Sequence, residues 1–169
     1  MKVWQKAGWQ CLIITVSLLL MAGLALAQEK ATPQEVKAKV AEAAKLLAEK
    51  GEEGLKIINQ KDGPFVWKDT YVFAYDMTGK MIAHPVAPHL MGKDMMAIKD
   101  VNGKIFTGEF LEIAKGKGHG WSDYMWPKPG SKEPSLKVSY IKKVEGKDMF
   151  VGSGIYDVTR EDAIKQAGD

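Results

Sequence analysis

With 169 residues, a formal charge of +3 and one cysteine, the chain has room for a leader and one domain of about 140 residues, not for two domains. Lys2 and Lys6 precede an almost uninterrupted apolar run over residues 11–26. That run closes on Ala25-Leu26-Ala27, the small-x-small pattern of a secretory leader cut after Ala27. It is shorter than the roughly 20 residues of a spanning helix. Its removal takes away the only cysteine, two lysines and no acid, so the charge drops from +3 to +1. A nucleic-acid role finds no support in that balance, and thiol or disulfide chemistry is excluded from the mature chain.

The mature chain opens on Thr32-Pro33, an N-cap followed by proline at the first helical position, with Glu35 in the first turn. From there to Asn59 the spacing of Val36, Val40, Ala43, Ala44, Leu47, Leu55, Ile57 and Ile58 predicts a long helix. The glycines at 51 and 54 are candidate points for a kink. This helix either covers one face of a sheet or docks a partner or a second copy of the chain. Residues 71–85 read as a hairpin, in which Tyr71, Phe73 and Tyr75 alternate with Val72 and Ala74. Asp76-Met77-Thr78-Gly79 supplies the turn, and a second strand over 81–84 stops at Pro85.

A methionine-rich connection over 90–96 has no strand period and reads as loop and short helix. Phe106, Phe110, Leu111, Ile113 and Ala114 predict a helix over 106–117, ended by glycine. Three strands follow, over 119–126, 136–143 and 149–156, and Thr159 caps a final short helix. The expectation is an α+β fold, a PAS-like five-stranded antiparallel sheet with a long N-terminal helix and a helical connection.

His84, His89 and His119 show no recognised metal-ligand spacing. Gly152-Ser153-Gly154 lacks the flanking frame of a nucleophile elbow and sits in a strand. No catalytic residue, metal or cofactor is expected. What stands out is aromatic density: Trp121, Tyr124, Trp126, Tyr140 and Tyr156 all fall in the last three strands. With Lys137 and His84 they suit a small concave site, apolar-walled with a few orienting polar groups. A lysine and tyrosine hydroxyls favour a small anion such as a carboxylate. Strand alternation puts Lys137 and Tyr140 on opposite faces, and Tyr124 and Trp126 on one.

The ordered series Tyr71-x4-Asp76-x2-Gly79-x4-His84-Pro85, Gly92-Lys93-Asp94, Asp100-x2-Gly103-Lys104, Gly120-Trp121-x2-Tyr124-x-Trp126-Pro127-Lys128-Pro129, Lys137-x2-Tyr140 and Gly152-Ser153-Gly154-Ile155-Tyr156 resembles a single Cache domain. Such domains are extracytoplasmic ligand sensors of chemoreceptors and sensor kinases. The resemblance covers residues 36–158 within a domain set at 28–169. It implies a pocket for a small organic acid, with His84, Tyr124, Trp126, Lys137 and Tyr140 at or near it. Met95 and Met96 would form its lid or fill core. The reading is thus a periplasmic sensor without its own signalling domain, secreted through a cleaved leader and reporting to a membrane receptor or sensor kinase, with a homodimer as a further option. The competing reading is a scaffold that binds no small ligand and pairs with a receptor through the helix over 36–58.

Overall fold

The protein is described by a computed structural model over residues 29–169. The leader expectation, on residues 1–27, lies outside the described residues.

Helix α1 (Pro33–Lys50) starts on a reciprocal cap. Glu35 N donates to Thr32 Oγ1 at 3.3 Å and Thr32 N donates to Glu35 Oε2 at 2.8 Å, satisfying two otherwise orphaned amides. Its stripe of Val36, Val40, Ala43, Ala44 and Leu47 is buried. The helix stops at Gly51, whose φ of +51° a side chain would resist, and α2 (Glu52–Ile58) continues in a new direction. The break expected at the glycines is therefore real.

Six antiparallel strands form the sheet: β1 (Val66–Trp67), β2 (Thr70–Asp76), β3 (Met81–Ala83), β4 (His119–Pro127), β5 (Pro134–Lys143) and β6 (Met149–Tyr156). Their order is β1-β2-β6-β5-β4, with β3 also paired to β2. The expected five strands are present, and the sixth is the two-residue β1, too short to show a period. The first long strand lies beside the last, with Val72 opposite Ser153. On the other side Lys137 of β5 stands opposite Tyr156 of β6 and Tyr124 of β4.

The two faces of the sheet differ. One carries Val72, Ala74, Trp121, Val138, Tyr140, Val151 and Ile155, and is covered by α1, α2 and the last helix, α4 (Arg160–Ala167). The other carries Tyr71, Phe73, Tyr75, Tyr124, Ile141 and Phe150 under α3 (Phe106–Lys115). Between β3 and α3 the chain makes two single 3-10 turns, Pro88–Leu90 and Met95–Ala97.

Candidate functional site

The aromatic face leaves a cavity of about 450 Å³ at one end of the sheet, lined among others by Tyr71, His84, Leu90 and Trp126. One wall is the 86–90 turn after β3, and the other is the 127–132 loop between β4 and β5. Each wall is tied to the sheet. Tyr156 Oη donates to Pro127 O at 3.0 Å, and the amide of Ala87 donates to His84 Nδ1 at 3.0 Å.

That second bond fixes the histidine. With Nδ1 accepting, the neutral ring carries its proton on Nε2 and presents a donor. Asn59 Oδ1 holds the His84 amide at 2.8 Å, and the ring lies 4.7 Å from that of Tyr71. Burial, with the charge of Lys137 adding to it, pushes the His84 pKa down to about 3, so the ring is neutral at physiological pH.

Behind Tyr71 stands the feature that organises the site. Lys137 has no solvent exposure, and its ammonium donates to Tyr71 Oη at 3.1 Å. It sits 4.2 Å from the ring centre of Tyr71 and 5.1 Å from that of Tyr156. No ion pair reaches it among the described residues. Burial pushes its pKa down to about 7, against the pull of the Asp69 charge. Burial also pushes the Tyr71 phenol up to about 12, while hydrogen bonding with Tyr156 and Trp126 works the other way.

The strand glycines make room for this arrangement. A Cβ at position 154 would fall 2.9 Å from Lys137 Cε and 2.3 Å from Ser139 Oγ, and one at 152 would fall 2.6 Å from the Phe73 ring. Gly152 and Gly154 are packing glycines that let a long cation and an aromatic lie flat on β6.

The residues expected at the site divide in three. His84 and Trp126 line the cavity, and Lys137 stands directly behind its Tyr71 wall. Tyr124 shares the face but lies deeper, stacked at 4.5 Å on Phe106, with its hydroxyl 3.1 Å from Ser139 Oγ. Tyr140 is not with them. It faces the α1 side, 5.1 Å from Trp121, as the alternation with Lys137 demanded. Tyr71 lines the cavity as well, although the strand pattern alone gives it no place at the site. The sequence marks its face, which it shares with Phe73 and Tyr75, but not its place in front of Lys137.

Met95 and Met96 also resolve differently from a lid. Met95 is fully buried in the aromatic core, and the chain around it is stapled down by Met81 N–Lys93 O at 3.0 Å and Met95 N–Gly79 O at 3.0 Å. The covering segment is instead the 86–90 turn.

A larger hollow of about 700 Å³ opens at the β4 edge beside Trp121 and Tyr140. Four of its polar groups pair with one another. Trp121 Nε1 donates to Asp169 Oδ2 at 2.8 Å, and Arg160 pairs with Glu109 at 2.8 Å. Its lining includes no buried cation.

An antiparallel sheet with a long helix on one face and a small pocket on the other defines a PAS-like ligand-binding domain. The comparisons place it further. Residues 25–167 match the dCache_2 family model, described as a Cache domain. The chain belongs to the Cache domain family. It is similar to the methyl-accepting chemotaxis protein McpP of Pseudomonas putida, with 39% identity over 88 residues, 52% of this chain and 16% of that receptor. The chain thus spans only a minor part of that relative. A solved periplasmic sensor domain of a chemotaxis protein is 30% identical, with a TM-score of 0.64 over 73% of this chain and 94% of the other. A second structure, solved as the basis for carboxylic acid recognition by a Cache chemosensory domain, is 32% identical. Its TM-score is 0.60, covering 75% of this chain and 88% of that one.

Proposed function

We propose that this protein is a periplasmic sensing module that binds a small carboxylate, without chemical turnover, and passes its occupancy to a membrane receptor or sensor kinase. The observation that carries the proposal is Lys137, an ammonium buried in an aromatic cage directly behind a pocket lined by Tyr71, His84 and Trp126. A buried cation without a carboxylate partner is costly in a fold and is characteristic of a site for an anion. The carboxylic acid recognised by the similar Cache chemosensory domain supports the same ligand class here.

The carboxylate oxygens would accept from Tyr71 Oη and His84 Nε2, while the organic part lies against Leu90, Val86 and the Trp126 ring. Because the 86–90 turn and the 127–132 loop form the two walls, ligand contact across them is the change that a partner would read. The α1 helix spends its apolar stripe on the sheet. That matches a cover, and it leaves the scaffold reading without a ready apolar surface.

The test is a thermal-shift screen of the purified protein against a panel of small mono- and dicarboxylates, followed by calorimetry on any acid that stabilises it. The proposal expects stabilisation by at least one acid, and its loss in Lys137→Met. A panel without any shift, or binding that survives Lys137→Met unchanged, contradicts it.

A further inference from the structure

We propose that the carboxylate enters this pocket together with a proton that ends on Lys137, so that the module reads acid and pH as a coupled pair. The inference rests on the carboxylate reading above and adds its regulation.

The geometry is that of a cation whose charge has no local balance. Among the described residues, the groups against the Lys137 ammonium are neutral: the hydroxyl and ring of Tyr71 from β2, the ring of Tyr156 from β6, and the ring of Phe73 at 5.5 Å. Beside it on β5 and β4, Ser139 and Tyr124 bond each other. From beyond β3 comes His84, neutral through its bond from Ala87. Among the described residues, the acid that acts on Lys137 is Asp69, by charge at longer range, and its carboxylate accepts from the amide of Ala31 at 2.8 Å.

An ammonium stripped of water and given hydroxyls and ring faces instead of an anion is easily deprotonated. Its pKa of about 7 agrees with that environment. A carboxylate seated against Tyr71 Oη supplies the absent negative charge one hydroxyl away, which favours the protonated amine. Binding therefore draws a proton from solvent whenever the free protein holds Lys137 neutral. His84 is the poorer acceptor, since burial and the adjacent ammonium both oppose its protonation. By linkage, affinity is nearly independent of pH below neutrality and weakens about tenfold for each pH unit above it.

The experiment is isothermal titration of the wild-type protein with acetate, and with succinate as a longer counterpart, in buffers of different ionisation enthalpy. The slope of observed heat against buffer enthalpy counts the protons. The proposal expects about one proton taken up at pH 8, about half at pH 7 and close to none at pH 6. Lys137→Arg, positive at all these pH values, should abolish the uptake, and His84→Gln should retain it. Binding without uptake at pH 8 overturns the proposal and leaves the carboxylate reading standing. Uptake lost in His84→Gln, or kept in Lys137→Arg, moves the proton elsewhere and also overturns it. Absence of binding by both acids and by every acid of the thermal-shift panel removes the carboxylate reading and the proposal together.

Discussion

The two faces of one sheet are built to different rules. Under α1, the buried positions are mostly Val, Ala, Leu and Ile, with Phe65, Trp121 and Tyr140 among them, and the Trp121 indole alone of these is shown with a side-chain polar partner, Asp169. Under α3 and the 86–90 turn, rings stack on rings and the face also encloses a lysine, with a histidine buried at its end. The first face holds the fold together. The second sets a buried cation behind the cavity wall, which on the proposed reading gives up stability for ligand binding. Substitutions should therefore separate, with stability effects on one side and binding effects on the other.

The largest stability effect is expected from Leu47→Ala, which empties a fully buried position of the α1 face. A loss of about 3 kcal/mol in urea unfolding is expected, with the carboxylate affinity of the folded protein unchanged. Lys137→Met should do the opposite. Carboxylate binding should weaken by about 100-fold or more in calorimetry. The melting temperature at pH 6 should rise, because a buried charge is replaced by an apolar chain of similar length. A melting temperature that falls would break the contrast between the faces.

The third effect is pH-dependent stability through His84. In the fold its imidazole stays neutral down to about pH 3, whereas the unfolded ring takes up a proton below about 6.5. The unfolded state thus binds more protons between those values, and stability falls as pH falls through that window. Urea unfolding should show about 2 kcal/mol less stability at pH 5 than at pH 7 from this group, a difference that His84→Gln removes. Smaller still, Trp126→Phe keeps a ring in the cavity wall but deletes the indole N–H that hydrogen-bonds Tyr71, and should weaken carboxylate binding by roughly three- to tenfold. Tyr140→Phe, on the helical face, should change it less than about twofold.

Much of this contrast was legible in the sequence because a strand sorts its side chains by parity. The alternation Tyr71-Val72-Phe73-Ala74-Tyr75 placed three rings on one side, and parity alone separated Lys137 from Tyr140. Grouping Tyr140 with the pocket followed the motif series against that rule, and the rule prevailed. Tyr71 needed information that no local pattern carries. Its place in front of Lys137 depends on β2 lying beside β6 in the register that sets Val72 against Ser153, a pairing of residues about 80 positions apart. Strand β1 was missed for the opposite reason, since two residues after a Gly-Pro loop give no period to read. The methionine-rich connection was legible as irregular. Its hydrogen bonds to β3 and to the turn before it, which pin Met95 into the core and leave the 86–90 turn as the cover, are tertiary facts.

The measurement that tests the central claim most directly is a crystal structure of the protein with the carboxylate that stabilises it most in the thermal screen. The account predicts the ligand between the 86–90 turn and the 127–132 loop, with a carboxylate oxygen in hydrogen-bond reach of Tyr71 Oη and Lys137 behind it. A ligand seated instead at the β4 edge beside Trp121 and Tyr140 would contradict the assignment of the site.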